Sequence, residues 1–303
     1  MTAGIVDAHF HIWRQRDLPW LAGPMQPRIF GPYEPIRRDY AIEEYFADCR
    51  AAGVTEGVYV QANWAPERFV DEVEFVAEAS DRSGFPIAVV AYADMLADDA
   101  RPQLDRLARN PRVRGIRMQL HWHENPLYRF APNSDLPRDP RLQANVGRLA
   151  AYGWTFDLQV FASQIAGAAE LAAACPDVNF VLQHAGMLED LSDNGISAWR
   201  AGMKLIAVRR NVFSKLSGLG TFLRANDPDH VGFVVRETLN LFSAERCLFG
   251  SNFPIEKLWT QYGELMDTYK AAVPATARAK IFGETARRVY RLGTARERDG
   301  NGA

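Results

Sequence analysis

Two histidines separated by one residue, His9 and His11, stand close to the N-terminus in a short apolar segment. In a β-strand, residues i and i+2 point to the same face, so both imidazoles would enter the same side of a sheet. Paired imidazoles are poorly suited to a dry core because each needs polar partners. They are well suited to hold a divalent metal ion or to stabilise developing charge. The pair therefore predicts a reaction centre at the end of the first strand.

A second polar segment extends through Arg117, Gln119, His121 and His123. Strand alternation places these side chains on one face, which predicts a hydrogen-bonding wall that binds substrate. Arg117 has the planar geometry to hold a carboxylate through two hydrogen bonds. For His123 the alternative is that the strand has already ended and the ring packs in a loop.

Three further segments end in residues that suit chemistry. His184 is the natural third catalytic imidazole, and Gly186 allows the chain to turn sharply after it. Asp157 and Gln159 share a strand face and are predicted to contact substrate. Lys215 is predicted to be a counter-charge for an anionic substrate; the alternative is a buried ion pair with Asp157.

These residues fall at the ends of β-rich segments that alternate with amphipathic helical segments. The predicted strands are 5–12, 57–62, 86–94, 113–121, 154–161, 178–184, 211–217 and 246–251. The predicted helices are 39–52, 66–83, 100–109, 140–152, 164–174, 195–209, 228–242 and 257–271. Gly53 is expected to end the first helix, and Ser163 to cap the fifth. Eight such units without a Gly-rich phosphate loop predict an α/β fold of the (β/α)8 TIM-barrel type.

Two connections are too long to be simple turns, residues 14–38 after the first strand and residues 123–140 after the fourth. Both are βα loops, so a barrel places them at the C-terminal face, where they would form a lid or substrate wall. Residues 274–292 predict one extra C-terminal helix. We expect a single barrel domain over residues 1–294 and a flexible tail over residues 295–303.

The composition argues against several functional classes. The net charge of the 303 residues is −2, so no electrostatic field attracts nucleic acid or an anionic membrane. No apolar run is long enough to span a bilayer, and no basic segment opens the chain, which favours a cytoplasmic protein. Cys49, Cys175 and Cys247 form no motif and are expected to be reduced and buried. His230 is expected at the surface. The partner is therefore predicted to be a small molecule, and the sequence does not indicate an oligomeric state.

The ordered set of strand-end motifs resembles the amidohydrolase superfamily, and within it the branch that holds sugar-lactone, pyrone and muconolactone hydrolases and some aromatic-acid decarboxylases. The stretches that carry the resemblance are Val6–Trp13, Gly115–His123, Phe180–Gly186, Phe249–Pro254 and Ile281–Arg287. The resemblance implies hydrolysis, or loss of CO2, at an activated carbonyl or ring carbon. In metal-using members the paired histidines and further histidines hold a divalent ion, usually zinc. Some lactonases of this branch use the same histidines without a metal.

The sequence departs from the family pattern at two positions. Asn252 occupies the strand-eight position at which the family carries an aspartate that binds metal or activates water, and Gln159 stands where decarboxylases carry a histidine. A carboxamide is neither a general base nor a good zinc ligand. Zinc held by His9, His11 and His184 and a metal-free site thus both stay open, with His121, Asp157 or His184 as the base.

The favoured function is hydrolysis of a small anionic lactone, of muconolactone or pyrone type ahead of a sugar lactone, with the catalytic set His9, His11, His184 and Asn252. A metal-dependent decarboxylase of the same fold is the second hypothesis. A barrel that binds a small molecule without catalysis is the third.

Overall fold

The computed structural model describes residues 4–293, in which eight parallel strands form one sheet in the chain order β1 to β8. The strands are β1 Ile5–Phe10, β2 Val54–Val60, β3 Ile87–Ala91, β4 Val113–Ile116, β5 Thr155–Leu158, β6 Phe180–Leu182, β7 Val212–Leu216 and β8 Cys247–Phe249. Each predicted strand segment overlaps one of them, and β2 begins three residues before its predicted segment. Most strands end earlier than predicted because the residues that follow leave the hydrogen-bond ladder and turn towards the barrel mouth.

The sheet closes through the segment that follows β8. Phe10 and Phe253 form a parallel bridge, the Asn252 amide donates to the His9 carbonyl (2.7 Å), and the His11 amide donates to the Phe253 carbonyl (2.8 Å). The result is a nearly closed barrel with helices between successive strands, which confirms the predicted TIM-barrel fold. It also brings the strand-eight end directly beside the paired histidines.

The helices surround the barrel. They are α1 Pro19–Ala22, α2 Ile42–Cys49, α3 Phe69–Ser83, α4 Arg101–Leu107, α5 Pro140–Gly147, α6 Leu149–Tyr152, α7 Ile165–Ala174, α8 Asp193–Ala207, α9 Pro228–Phe242, α10 Tyr262–Ala272 and α11 Thr285–Tyr290. Gly53 follows the first predicted helix in the left-handed conformation (φ 87°), as expected of a residue that ends a helix.

Two helix predictions need correction, and a third needs refinement. The expected helix 140–152 divides at Arg148 into α5 and α6. Ser163 does not cap α7; it lies inside a 3₁₀ turn, and Gln164 Oε1 accepts from the Phe161 amide instead. The extra helix expected in segment 274–292 is present without a break over residues 275–290, but it begins with a 3₁₀ turn and contains a π-helical turn over Lys280–Glu284 before α11. The predicted tail 295–303 lies outside the described residues.

Apolar side chains pack in two layers. The larger layer lies between the sheet and the helices, as in other barrels with buried strands. The smaller one fills the lower barrel with residues such as Val6, Val58 and Leu248, and α11 adds Ala286, Val289 and Tyr290 to it. The last helix therefore seals the N-terminal end of the barrel and leaves the opposite end open.

Two further expectations can be compared with the structure. The three cysteines are unpaired and buried, as predicted. His230 is not at the surface: it is half-buried, and burial lowers its pKa. Among residues 4–293 no helix has the length and apolar character needed to cross a membrane.

Candidate active site

A cavity of about 470 Å³ opens at the C-terminal end of the barrel. Its floor carries His11, Arg117, His184 and Asn252, and the loops after β1 and β4 form much of its wall. Trp13, Trp20, Arg28 and Phe30 come from the first loop, and Tyr128, Arg129 and Phe130 from the second. The two long connections therefore build the substrate wall expected of them.

The paired histidines reach the barrel interior through an irregularity in β1. Asp7 lies opposite Gly57 and Phe10 opposite Tyr59, so three steps along β1 match two steps along β2. A bulge of this kind re-aims side chains. The His9 and His11 rings lie at right angles, with centroids 5.0 Å apart. The shared face that we expected from simple alternation therefore exists, but it depends on the bulge.

Hydrogen bonds fix the tautomer of His11. Its Nδ1 lies 2.7 Å from the Val60 carbonyl oxygen, which only accepts, so Nδ1 carries the hydrogen and Nε2 keeps its lone pair. His9 is fully buried, and neither of its ring nitrogens has a partner within the described residues. A buried nitrogen without a hydrogen-bond partner costs free energy, so the His9 ring has hydrogen-bonding capacity that the described residues leave unused.

A left-handed turn presents His184 to the cavity. His184, Ala185, Gly186 and Met187 all have positive φ, between 48° and 74°. Left-handed backbone is unfavourable for residues other than glycine, and strain of this kind concentrates at functional sites. The His184 Nδ1–H donates to Ser217, whose carbonyl oxygen lies at 3.1 Å and Oγ at 2.9 Å, so Nε2 keeps its lone pair. The His184 ring centroid lies 4.9 Å from that of His9.

Arg117 and His121 form the polar wall predicted from the segment after β4. Arg117 Nη2 donates to the Gln61 carbonyl and Nη1 donates to Gln159 Oε1 at 3.4 Å, whereas Nε is buried without a partner. His121 is 4% exposed and its Nδ1 likewise has no partner within residues 4–293. Gln119 and Gln159 also line the cavity. This wall therefore keeps hydrogen-bonding capacity for a bound molecule.

The other sequence candidates lie elsewhere. Lys215 does not line the cavity: its Nζ donates to Asp157 Oδ2 at 2.7 Å, and both side chains are 0% exposed. Tyr290 and Gln183 also donate to Asp157. The alternative of a buried ion pair therefore describes Lys215 and Asp157, and neither touches the cavity.

His123 is also outside the cavity wall. β4 ends at Ile116, so the strand is over well before His123, and the ring packs in the loop beside Tyr128 and Phe161. Its Nε2 faces Glu189 at 3.4 Å. The loop alternative is correct for this residue.

Sequence reasoning missed a buried carboxyl group beside Asn252. Glu256 lies one turn beyond Asn252, is 1% exposed, and accepts from Trp259 Nε1 through Oε2 at 2.9 Å. Asn252 itself has a left-handed backbone (φ 58°) and forms hydrogen-bonding interactions that shift the pKa of both His11 and Glu256. The available signal was the spacing of four residues between the two.

Charge on the cavity floor is dominated by one arginine. Burial lowers the pKa of Arg117 to about 10, so the guanidinium stays protonated at neutral pH. Burial, followed by repulsion from Arg117, lowers the pKa of His11, His121 and His184 to about 3 each. All three imidazoles are therefore neutral and can accept a proton or a hydrogen bond.

The predicted zinc ligands do not meet as a ligand set. Neutral His9, His11 and His184 have the right donor chemistry. Within residues 4–293, however, no three His, Cys, Asp or Glu side chains are grouped so that they could hold a metal ion. Asn252 supplies no carboxylate, and the cationic Arg117 stands nearby. The residues as arranged do not fit a zinc ion.

The sequence model of a family described as Amidohydrolase matches residues 6–292, almost the whole chain. The chain belongs to the amidohydrolase family. Among relatives of this amidohydrolase is an uncharacterized protein, y4mH, of Sinorhizobium fredii, 30% identical over 95% of this chain and 98% of its own. An L-fucono-1,5-lactonase of Burkholderia multivorans is 30% identical over 96% of this chain and 97% of its own.

A crystal structure of a zinc-bound amidohydrolase from Burkholderia multivorans superposes on this amidohydrolase with a TM-score of 0.79. It is 28% identical and covers 96% of this chain and 100% of its own. Family membership and the lactonase relative together support a hydrolase.

Proposed function

We propose that this amidohydrolase hydrolyses a small anionic lactone by attack of water on the ring carbonyl. The observation that carries the proposal is the composition of the cavity wall. Within residues 4–293 the wall holds neutral His11, His121 and His184 and three arginines, but no Asp or Glu. Such a wall favours an anionic ligand, and the imidazoles supply proton acceptors beside it.

Arg117 is the residue that we assign to the substrate carboxylate. Its Nε–H has no acceptor and its Nη1 bond to Gln159 is long, so a carboxylate would satisfy groups that the protein leaves open. Arg28 and Arg129 extend the positive charge towards the mouth. A lactone that bears a carboxylate, of muconolactone or pyrone type, therefore fits ahead of a neutral sugar lactone.

His184 is the base that we assign to the attacking water. Its Nε2 lone pair is available because Nδ1–H donates to Ser217. Repulsion from Arg117 contributes to the low pKa of His184, so a substrate carboxylate that neutralises Arg117 raises that pKa. Binding of an anion thus makes His184 a stronger base, which links the charge of the substrate to catalysis.

The reaction then proceeds in two steps. His184 Nε2 takes a proton as the water oxygen bonds to the carbonyl carbon, and a hydrogen bond from the Asn252 amide stabilises the oxyanion. The bond between that carbon and the ring oxygen breaks, and the departing oxygen takes the proton from His184. The product is an open-chain hydroxy acid, and the imidazole is neutral again.

The zinc-bound relative raises the question of a metal. We assign no step to one here, because the histidines are not grouped as ligands and the strand-eight carboxylate is replaced by Asn252. We expect less than stoichiometric zinc in the purified protein and no loss of turnover after treatment with a chelator. Stoichiometric zinc, together with activity that a chelator removes and zinc restores, would overturn this part of the proposal.

A panel of lactones with a pH indicator tests the proposed function. We expect proton release with carboxylate-bearing lactones, weaker turnover of L-fucono-1,5-lactone, and loss of turnover in His184→Asn. If the folded protein released no protons from any lactone of the panel, the hydrolase proposal would be wrong. Tight binding without turnover would favour a non-catalytic barrel, and release of CO2 from aromatic acids would favour a decarboxylase.

A further inference from the structure

Glu256 is a buried carboxyl group that has no role in the reaction proposed above. It begins a short 3₁₀ turn over Glu256–Leu258, and its amide donates to the Asn252 carbonyl at 3.3 Å. The side chain is 1% exposed and does not line the cavity. Any part that it plays in the reaction must therefore pass through a neighbour, and two of its neighbours, Asn252 and Thr221, line the cavity.

The surroundings of Glu256 contain no cation to balance a negative charge. Oε2 accepts from Trp259, and Thr221 and Asn252 are the other polar side chains that interact with the carboxyl group. Tyr269 of α10 is the titratable group that faces it, and burial keeps that phenol neutral. No Lys, Arg or His within residues 4–293 influences its ionisation. An unpaired buried carboxylate is costly, so the neutral acid is favoured.

A neutral carboxylic acid donates one hydrogen bond, whereas a carboxylate only accepts. Glu256 Oε1 has no partner within hydrogen-bond distance in the described part of the chain. Of its two cavity-lining neighbours, Asn252 is the one that also interacts with His11. The Nε2 atom of His11 is the ring nitrogen left as an acceptor, because Nδ1–H donates to the Val60 carbonyl. A side-chain amide that lies between a donor and an acceptor has one favoured orientation, with its oxygen towards the donor and its NH2 group towards the acceptor.

We propose that Glu256 is a positioning residue. As a neutral acid it donates a hydrogen bond to the side-chain amide oxygen of Asn252, Oδ1, and so turns the Asn252 NH2 group towards His11 and the cavity. This inference rests on the proposed lactone hydrolysis. One N–H of Asn252 then meets His11 Nε2, and the other faces the oxyanion of the reacting lactone. Glu256 and Asn252 together then form a hydrogen-bond donor at the strand-eight end of the cavity.

Ionisation of Glu256 would reverse this arrangement, because a carboxylate attracts the NH2 group and turns it away from the cavity. Burial raises the pKa of Glu256 to about 8. Turnover is therefore expected to fall as the pH rises through that value. Because Trp259 donates to the carboxyl group, its removal should move the fall to higher pH.

The kinetic test compares the pH dependence of kcat for the wild-type enzyme, Glu256→Gln, Glu256→Ala and Trp259→Phe. Glu256→Gln retains an N–H donor, so we expect activity near the wild-type value at pH 7 and no fall at alkaline pH. Glu256→Ala is expected to lose about tenfold in kcat, the value of one hydrogen bond to a developing charge. An alkaline fall that persists in Glu256→Gln, or that does not move in Trp259→Phe, would overturn the inference.

A second measurement does not depend on turnover. The infrared difference spectrum between wild-type protein and Glu256→Gln at pH 7 should contain the C=O stretch of a protonated carboxylic acid. The side-chain amide NMR signals of Asn252 should titrate with the same midpoint, and this titration should vanish in Glu256→Gln. An ionised Glu256 at pH 7 contradicts the inference even if lactones are turned over. If Glu256 is protonated but no lactone is hydrolysed, only the proposed function is contradicted.

Discussion

At the scale of single residues, the site is governed by one buried guanidinium. Arg117 keeps its charge in the barrel and, after burial itself, is the next largest cause of the low pKa of three imidazoles. The histidines therefore stand neutral beside a cation, ready for an anion that pairs with it. This arrangement makes recognition of charge and activation of a base parts of one event.

Arg28 is predicted to select anionic substrates at the cavity mouth. Its guanidinium lies over the Trp20 ring at 5.5 Å, its Nε is buried without a partner within the described residues, and it lines the cavity. Arg28→Met should lower kcat/KM for a carboxylate-bearing lactone by about 10- to 100-fold through KM, the value of one hydrogen bond between charged groups. Turnover of a neutral lactone should change little.

Arg16→Met is the matched control, because Arg16 belongs to the same loop, is exposed and does not line the cavity. It removes the same charge from the molecule. Equal effects of both substitutions on steady-state kinetics with the two lactones would contradict a specific role for Arg28.

At the scale of elements, the sequence was sufficient to predict the strands and most helices, because buried parallel strands and amphipathic helices leave clear patterns. It also located the wall residues Arg117, Gln119 and His121. It could not supply the bulge in β1 or the left-handed run from His184 to Met187, because both depend on contacts with distant segments. Lys215 was misassigned for a related reason. The alternation of side chains along a strand is the same whether Lys215 enters a cavity or pairs with Asp157, so the pattern does not distinguish the two.

Gly218 is predicted to be essential for the position of His184. Gly218 has φ 59°, and a Cβ atom there would lie 2.5 Å from His184 Nδ1. Gly218→Ala should displace the ring and reduce kcat by about 100-fold, the usual penalty for a misplacement near 1 Å. It should also lower the thermal midpoint, because left-handed alanine costs about 1–2 kcal/mol.

Gly84→Ala separates these two effects. Gly84 has a similar φ of 68°, and nothing lies within 4 Å of the added Cβ atom. This variant should lose stability in a thermal melt but retain its kcat. If Gly218→Ala retained kcat as well, the proposed role of His184 would be wrong.

At the scale of the whole molecule, buried titratable groups are expected to limit stability on both sides of neutrality. The folded pKa values of His11, His121 and His184, about 3, lie below their ordinary value of 6.5. Stability is therefore lost as the pH falls from 6.5 towards 3, because in this range these histidines bind protons in the unfolded chain but not in the folded protein. Glu72 and Glu256 have pKa values raised by burial to about 7 and about 8, so their contribution is lost as the pH rises from the ordinary value of 4.5 towards those values.

Thermal midpoints measured by circular dichroism across pH should thus pass through a maximum between pH 4.5 and 6.5, where the two ranges overlap. Glu72→Gln should reduce the alkaline slope, whereas Glu78→Gln, an exposed substitution on the same helix α3, should not. A midpoint that does not change from acid to alkali would contradict this account of the buried groups.

The seal at the base of the barrel has a consequence for how the chain is made. The Tyr290 hydroxyl donates to the Asp157 carboxylate, with both oxygens within 3.0 Å, and α11 completes the inner apolar layer that begins with Val6 of β1. The interior thus joins β1, Ile5–Phe10, with a helix that comes much later in the chain, α11, Thr285–Tyr290. A nascent chain emerges from the ribosome N-terminus first. The early strands therefore leave the ribosome long before the segment that closes over them, and the barrel interior becomes complete only after α11 has been synthesised.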